Sequence, residues 1–130
     1  PEYSDYDALA CFDSRGNLYI FISSEHKNAP AEAIAALLTH EAIHQDTESS
    51  IAEEVQGWLN EAVEWQHLKN KHLELKSIPS GKYALVDRLN NIQNLYISAN
   101  YTTNNIEKAV IENSGYQTLA MYSSGFKKFP

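Results

Sequence analysis

The chain contains a single cysteine, Cys11, among its 130 residues, so no disulfide can form within it. It has no apolar run near the roughly 18 residues that a membrane-spanning helix needs. Basic residues are also scarce, with 10 Lys and Arg against 17 Asp and Glu, and the net charge of -7 would repel nucleic acid. Neither a glycine-rich phosphate loop nor a serine-nucleophile motif is present. These absences leave a soluble globular domain of ordinary composition.

The first residue is Pro1 and not Met, which indicates a processed or trimmed chain. A targeting segment would then have been removed, and a secreted or cell-envelope location is one expectation. A lone cysteine does not decide the compartment. Cys11 itself is most simply a small buried apolar residue.

Two short apolar segments near the start of the chain predict a β-hairpin. Residues 8–12, ALACF, and residues 18–22, LYIFI, are rich in strand-forming side chains. The sequence DSRGN between them has the chemistry of a tight turn. The later periodic segments are helical, so the order of elements predicts one α+β domain in which helices follow a short antiparallel sheet.

The first predicted helix carries two polar residues on its apolar side. Its sequence, AEAIAALLTHEAIH, is rich in helix formers, and Ala33 and Leu37 share one stripe with His40 and His44. We expect this helix to end near Asp46, because the residues TESS that follow do not readily continue it.

Further helices are predicted downstream, over residues 51–75, 83–98 and 104–115. The first of them opens with a capping box, in which Ser50 is followed three residues later by Glu53. The last is short, starts with Asn104 as a cap, and is terminated by Gly115. The tail YQTLAMYSSGF is compatible with either a strand or a helix.

The stretch LLTHEAIHQD, residues 37–46, contains the pattern H-E-x-x-H. His40 and His44 are one helical turn apart, so both imidazoles project from the same side and can bind one Zn²⁺. Glu41 is rotated by one residue, where it can hold a water molecule on the metal without being a ligand. Zinc lowers the pKa of that water towards 7, and the carboxylate accepts its proton as the water attacks a carbonyl. The alternative is two ordinary histidines at a helix edge, with Glu41 in a surface ion pair.

A zinc site of this kind needs a third protein ligand, and the second helix offers glutamates at positions 53, 54, 61 and 64. Glu53 is assigned to the capping box and points about 160° away from the apolar stripe. Glu54 lies about 60° from the centre of the stripe, and in an antiparallel helix hairpin it is level with the histidines. Glu61 lies nearly two turns deeper. Glu54 is therefore the first choice and Glu61 the second, and a solvated surface carboxylate is the alternative for Glu54.

The motif HEAIH resembles the zinc-binding helix of the zincin metallopeptidases, and a later glutamate as third ligand is similar to the gluzincin branch. LYIFI resembles the strand that lines the cleft in that family and pairs with an extended substrate. EVQG, residues 54–57, is similar to the E-x-x-A form of the glutamate helix, with Gly57 in place of alanine. NEAVEW, residues 60–65, resembles the motif N-E-x-x-x-D, with Trp65 in place of the aspartate.

The resemblance covers about residues 17–65, and the size of the chain is similar to that of the minigluzincins. It implies one compact domain, with a zincin-like core over about residues 17–75 and a C-terminal helical part over about residues 80–130. The implied activity is zinc-dependent hydrolysis of a peptide or protein substrate. A non-hydrolytic or latent zinc-binding interaction domain of the same fold is the alternative.

A zinc peptidase also needs a group that stabilises the oxyanion. Tyr116 follows Gly115 at a predicted helix end, a position that could overhang a cleft. The other candidates are His67, His72, Tyr83, Arg88, Tyr101 and Tyr122. Trp58 and Trp65 are expected in the core, and His26, in the loop before the first helix, is expected at the surface.

Overall fold

The computed structural model describes residues 7–44 and 48–122 of the chain. These residues form a β-hairpin followed by helices, an α+β architecture as the sequence predicts. The strands and α-helices are β1 (Ala8–Phe12), β2 (Leu18–Ile22), α1 (Ala31–Glu41), α2 (Ile51–Lys71), α3 (Ala84–Ser98) and α4 (Asn104–Glu112). Short 3-10 turns lie at Ser24–His26, Leu73–Ser77 and Ser114–Tyr116. No helix in the described part of the chain is long and apolar enough to cross a membrane.

The hairpin is antiparallel, with Ala10 of β1 directly opposite Ile20 of β2. Its turn is held by Asp13, whose Oδ1 accepts hydrogen bonds from the backbone N–H groups of Arg15 at 2.8 Å and Asn17 at 2.9 Å. Such bonds from an aspartate to the backbone just ahead of it are a turn-forming device. The predicted hairpin and its turn are therefore confirmed.

Helix α1 ends at Glu41, so the expectation that it continues to about Asp46 is wrong. Beyond the helix, the N–H of His44 donates to the carbonyl oxygen of Glu41, three residues back, at 3.3 Å, as the chain tightens out of the α-helix. The ring of His44 is held by Glu53 at the start of α2, with 2.9 Å between Nδ1 and Oε2. Helix α1 thus ends where His44 bonds to a residue of another helix. A contact of this kind cannot be predicted from the periodicity of the α1 sequence. Asp46 itself lies outside the described residues.

Helix α2 begins at the predicted cap. The Oγ of Ser50 accepts a hydrogen bond from the N–H of Glu53 at 3.1 Å, which satisfies one of the amides left open at a helix N-terminus. The helix ends at Lys71, before the expected Leu75, because His72 leaves the helical region with φ -123° and ψ 87°. The chain then continues in the 3-10 turn that ends at Ser77.

The third helix follows the expected bounds, whereas the fourth differs at both ends. Thr103 and not Asn104 occupies the N-cap of α4, and its hydroxyl donates to Oε1 of Glu107 at 3.2 Å. The helix ends at Glu112, three residues before Gly115, and a 3-10 turn over Ser114–Tyr116 follows.

The main core lies where α1, α2 and α3 meet, and the hairpin packs against it. Its most deeply buried side chains are Ala33, Ala36, Leu37, Trp65, Leu85, Val86 and Leu89. Trp65 donates its indole N–H to Oδ1 of Asn90 at 2.8 Å, so its one polar atom is satisfied. A smaller cluster of Ile51, Ile106 and Val110 joins α2 to α4, with Trp58 partly buried against it. Trp65 is therefore a core residue, and Trp58 lies at the edge of the core.

The tail after α4 returns to the start of α2. The N–H groups of Ile51 and Ala52 donate to the carbonyl oxygens of Ala120 and Met121, at 2.8 Å and 3.0 Å. These bonds satisfy two more amides at the N-terminus of α2. They fix the segment that carries Tyr116 beside the first turn of α2, and residues 123–130 lie outside the described part of the chain.

Candidate metal centre

His40 and His44 lie close together although only His40 belongs to the helix. His40 occupies the last turn of α1, and His44 follows the helix end. The centroids of the two rings are 5.5 Å apart. His40 is 4% exposed, so its ring is held within the protein and not at a solvated helix edge. The interpretation of the pair as ordinary surface histidines does not fit this burial.

Glu54, the first choice for a third ligand, joins the two histidines. Its Oε2 lies 2.9 Å from Nε2 of His40, and Glu54 is 7% exposed. One potential ligand atom from each of His40, His44 and Glu54 lies within 4.8 Å of the other two. Two imidazoles and a carboxylate are a common protein ligand set for catalytic zinc.

Glu61, the second choice, contacts the other edge of the same ring. Its Oε1 accepts a hydrogen bond from Nδ1 of His40 at 2.5 Å, and its side chain is completely buried. Because Glu54 and Glu61 meet opposite nitrogens of His40, Glu61 lies away from the atoms that His40, His44 and Glu54 bring together. Its position is that of a carboxylate that orients a ligand histidine.

Glu53 has a position that helical-wheel reasoning placed wrongly. It was expected to point away from the packed face, yet it is 1% exposed and its Oε2 lies 2.9 Å from Nδ1 of His44. The wheel assumes that α2 has a single buried face, but α2 packs against α1, α3 and α4. A second signal was available: a ligand histidine needs a partner for its other nitrogen, and Glu53 is the carboxylate level with His44.

The two histidines therefore share one arrangement. In each, Nδ1 is bonded to a buried carboxylate, Glu61 for His40 and Glu53 for His44. A carboxylate on Nδ1 fixes the tautomer and leaves Nε2 as the metal-binding atom. Nε2 of His40 faces Glu54, and Nε2 of His44 lies 3.8 Å from Oε2 of Glu41. The donor set and its supporting carboxylates fit a zinc ion.

Burial and charge shift the pKa values of three groups in this cluster. Burial opposes the charged form of His40, but the hydrogen bonds to Glu54 and Glu61 outweigh it and raise the pKa of His40 to about 10. Burial also opposes ionisation of Glu54, and the bond to His40 overcomes it and lowers the pKa of Glu54. For Glu41 burial prevails and raises the pKa of its carboxyl group. These shifts favour the charged form of His40 when no metal is bound.

The cluster opens into a cavity of about 410 Å³. His40, Glu41, His44 and Glu54 line one side, and Asp7 to Ala10 of the β1 region line another. Strand β2 contributes no lining residue, so the expectation that LYIFI lines the cleft is wrong, and β1 takes that position. Ile20 of β2 packs against the main core. The sequences of the two strands did not reveal which of them borders the cavity.

The candidates for the oxyanion-stabilising group differ in whether they line the cavity. Tyr116 and Arg88 line the cavity, whereas His67, His72, Tyr83, Tyr101 and Tyr122 do not. Burial raises the pKa of Tyr116, whose ring meets that of Trp58 edge-on with 6.4 Å between centroids. His26, expected at the surface, is 2% exposed and bonds through Nε2 to Oδ1 of Asp7 at 2.7 Å.

Gly57 provides the space that the ring of His40 occupies. A Cβ at this position would lie 2.6 Å from Cδ2, 2.7 Å from Cγ and 2.8 Å from Nε2 of His40. Such distances are shorter than real carbon contacts, and the ring cannot easily move because Glu61 holds it. The departure from the E-x-x-A pattern therefore has a steric reason in this chain.

Gly57→Ala should lower the free energy of unfolding by about 1 to 3 kcal/mol, because the new methyl group collides with the ring of His40. At a position in a helix interior where the methyl group meets no other atom, the same change would raise the free energy of unfolding by about 1 kcal/mol. A double-mutant cycle with His40→Ala, measured by urea denaturation, isolates the clash. In the His40→Ala background Gly57→Ala should become neutral or stabilising, and persistent destabilisation there would refute the steric explanation.

The metal-free protein should lose stability as the pH rises from 6.5 to about 10. The pKa of His40 is higher in the folded protein than in the unfolded chain, so protonation of His40 stabilises the fold. This stabilisation is fully present below pH 6.5 and is lost as His40 of the folded protein loses its proton. The free energy of unfolding should fall by up to about 1.4 kcal/mol per pH unit in this window. Urea denaturation of chelator-treated protein measures the slope, and His40→Gln is the control. An equal slope in the variant would contradict this assignment.

The chain was compared with protein-family models, with curated proteins and with solved structures, and none of them matches. The resemblance to zincins therefore rests on the motif residues alone.

Proposed function

We propose that the chain is a zinc-dependent metallopeptidase, with His40, His44 and Glu54 as metal ligands and Glu41 as general base. One observation supports this assignment above the others. Each histidine has its Nδ1 on a buried carboxylate, so that both Nε2 atoms are left for the cluster that includes Glu54. Two unrelated surface histidines would not share this arrangement.

The balance of charge around the cavity also favours a bound cation. Four glutamates at positions 41, 53, 54 and 61 are each at most 7% exposed. Facing them are two histidines and the single guanidinium of Arg88. Burying uncompensated carboxylates is costly, and a divalent cation in place of the proton on His40 would offset that cost.

Zinc bound at this site would polarise the carbonyl of a peptide bond and lower the pKa of a water molecule towards 7. Glu41 accepts the proton of the attacking water, and burial has raised the pKa of its carboxyl group towards the range where a base both accepts and returns a proton. Attack of the water forms the new C–O bond and leaves negative charge on the former carbonyl oxygen. Glu41 then passes the proton to the amine nitrogen as the C–N bond breaks. Nδ1–H of His40 donates to Glu61 and Nδ1–H of His44 donates to Glu53, and neither histidine takes part in the proton transfer.

Strand β1 is placed to bind an extended substrate. The carbonyl of Asp7 accepts from the N–H of Ser23 at 2.9 Å, and the N–H of Asp13 donates to the carbonyl of Asn17 at 3.1 Å. By the alternation of an antiparallel pair, the backbone groups of Ala8 and Ala10 then point to the edge away from β2. Within residues 7–44 and 48–122, β1 pairs only with β2. A peptide strand could add to this edge beside the cavity.

Tyr116 is the proposed oxyanion donor. It lines the same cavity as the cluster, and its raised pKa keeps the phenol protonated and able to donate a hydrogen bond. Arg88, the other candidate in the lining, already donates to carboxylates.

A latent zinc-binding domain is the second candidate. Asn113, Gly115, Tyr116 and Leu119 form one wall of the cavity, and the tail beyond them is bonded to the start of α2. This wall would restrict access for a large substrate. Tight zinc binding without hydrolysis would favour this alternative.

The test is hydrolysis of a random peptide library by the zinc-loaded protein, with cleavage sites read by mass spectrometry. Glu41→Gln should retain zinc and lose about 10²- to 10⁴-fold in rate, because it removes the base and not a ligand. Glu32→Gln, the same change earlier on α1, is the matched control and should leave the rate unchanged.

Equal rates for Glu41→Gln and the wild type would refute the assignment of the base. Failure of the wild type to bind zinc would refute the proposed function as a whole. Zinc content by elemental analysis separates these two outcomes.

A further inference from the structure

Arg88 lies at the centre of a chain of charged groups that runs from the cavity-lining strand to the metal cluster. Its NH1 and NH2 groups both donate to Glu61, at 2.5 Å and 3.3 Å. Its Nε lies 2.9 Å from Oδ2 of Asp7, the residue that precedes β1. One side chain on α3 therefore bonds to α2 and to the base of the hairpin.

We propose that Arg88 is a positioning residue that fixes both the orientation of His40 and the placement of β1 beside the metal site. The proposal rests on the proposed function, because it assigns Arg88 a role in aligning substrate with metal. Arg88 acts through Glu61 on one side and through Asp7 on the other, because its guanidinium is bonded to these two carboxylates.

The first arm of the chain runs from Arg88 through Glu61 to His40. Glu61 has no exposed surface, so its charge would be strongly disfavoured without compensation. Two charge-assisted bonds from a guanidinium supply that compensation and fix the plane of the carboxylate. Oε1 of Glu61 then accepts a hydrogen bond from Nδ1–H of His40, and this bond directs Nε2 of His40 towards Glu54.

The second arm runs from Arg88 through Asp7 to β1. Asp7 is held from two sides, by Nε of Arg88 and by Nε2 of the buried His26 at 2.7 Å. Its carbonyl oxygen also accepts from Ser23, the first bond beyond the β1–β2 ladder. Asp7 therefore anchors the point where β1 enters the cavity wall. An isolated two-stranded hairpin is marginally stable in water, so this anchor matters for both strands.

The two arms predict separate effects for variants at their ends. Glu61→Gln should raise the dissociation constant for zinc about 10- to 100-fold, as loss of a supporting carboxylate typically does, and should leave the hairpin in place. Asp7→Asn should leave the zinc dissociation constant within about threefold, because Asp7 is bonded to neither His40 nor His44, and should accelerate hydrogen exchange of the amides of Leu9 and Cys11. Arg88→Gln should do both.

The experiment measures zinc affinity by competition with a chelator and amide exchange by mass spectrometry on the metal-free protein. Arg88→Lys keeps the charge but not the forked geometry, so it should give intermediate values in both readouts. Arg88→Lys also provides both readouts if Arg88→Gln does not fold. Lys69→Gln is the matched control. Lys69 of α2 donates to Asn90 and Gln93 of α3, each at 2.9 Å, so it also joins these two helices, but its bonds do not involve Glu61 or Asp7.

The proposal fails if the Arg88 variants bind zinc no more weakly than Lys69→Gln and exchange β1 amides at the wild-type rate. A loss of zinc affinity without faster exchange would overturn the link to the strand. If the wild type binds no zinc, the proposed function fails, whereas the exchange measurement still decides whether Arg88 fixes β1.

Discussion

The hydrogen bond between Nδ1 of His40 and the buried carboxylate of Glu61 is the interaction on which the geometry of the cavity depends. It fixes the tautomer and the plane of a ring that is almost without solvent contact. The ring fits only because residue 57 has no side chain. Glu54 then meets the opposite nitrogen, and Glu53 holds Nδ1 of His44 in the same way. A pair of helices that buries so many ionisable groups is stable only where each has a partner.

Helix α2 supplies most of these partners, and its position explains why. It packs against α1, α3 and α4, so carboxylates on more than one side of it are buried. Glu53 and Glu54 face the histidines from its first turn, and Glu61 reaches both α1 and α3 two turns later. The same helix holds the segment after α4 through backbone bonds at its N-terminus. Helix α2 thereby contributes Glu53, Glu54 and Glu61 to the candidate metal site, binds Arg88 of α3 through Glu61, and holds the segment that follows Tyr116.

The local features of this fold could be predicted from sequence, because they depend on short-range chemistry. The hairpin turn at Asp13, the Ser50 cap and the bounds of α3 all follow from residues within a few positions of each other. The proximity of His40, His44 and Glu54 could also be predicted, although His44 reaches the cluster from beyond the end of α1 and not from the helix itself. The predictions that were wrong, and the contacts that were not predicted at all, depend on segments that are distant in the sequence. Glu53 binds His44 and accompanies the early end of α1, β1 rather than β2 lines the cavity, and Arg88 joins Asp7 to Glu61.

X-ray absorption at the zinc edge of the zinc-loaded protein tests the central claim most directly, because it reports the ligands themselves. The account predicts about four nitrogen and oxygen ligands near 2.0–2.1 Å, with scattering from two imidazole rings. In His44→Ala the contribution of one ring should disappear. A ligand shell with no imidazole or only one in the wild type, or one that contains sulfur from Cys11, would contradict the assignment of His40 and His44 as the metal ligands.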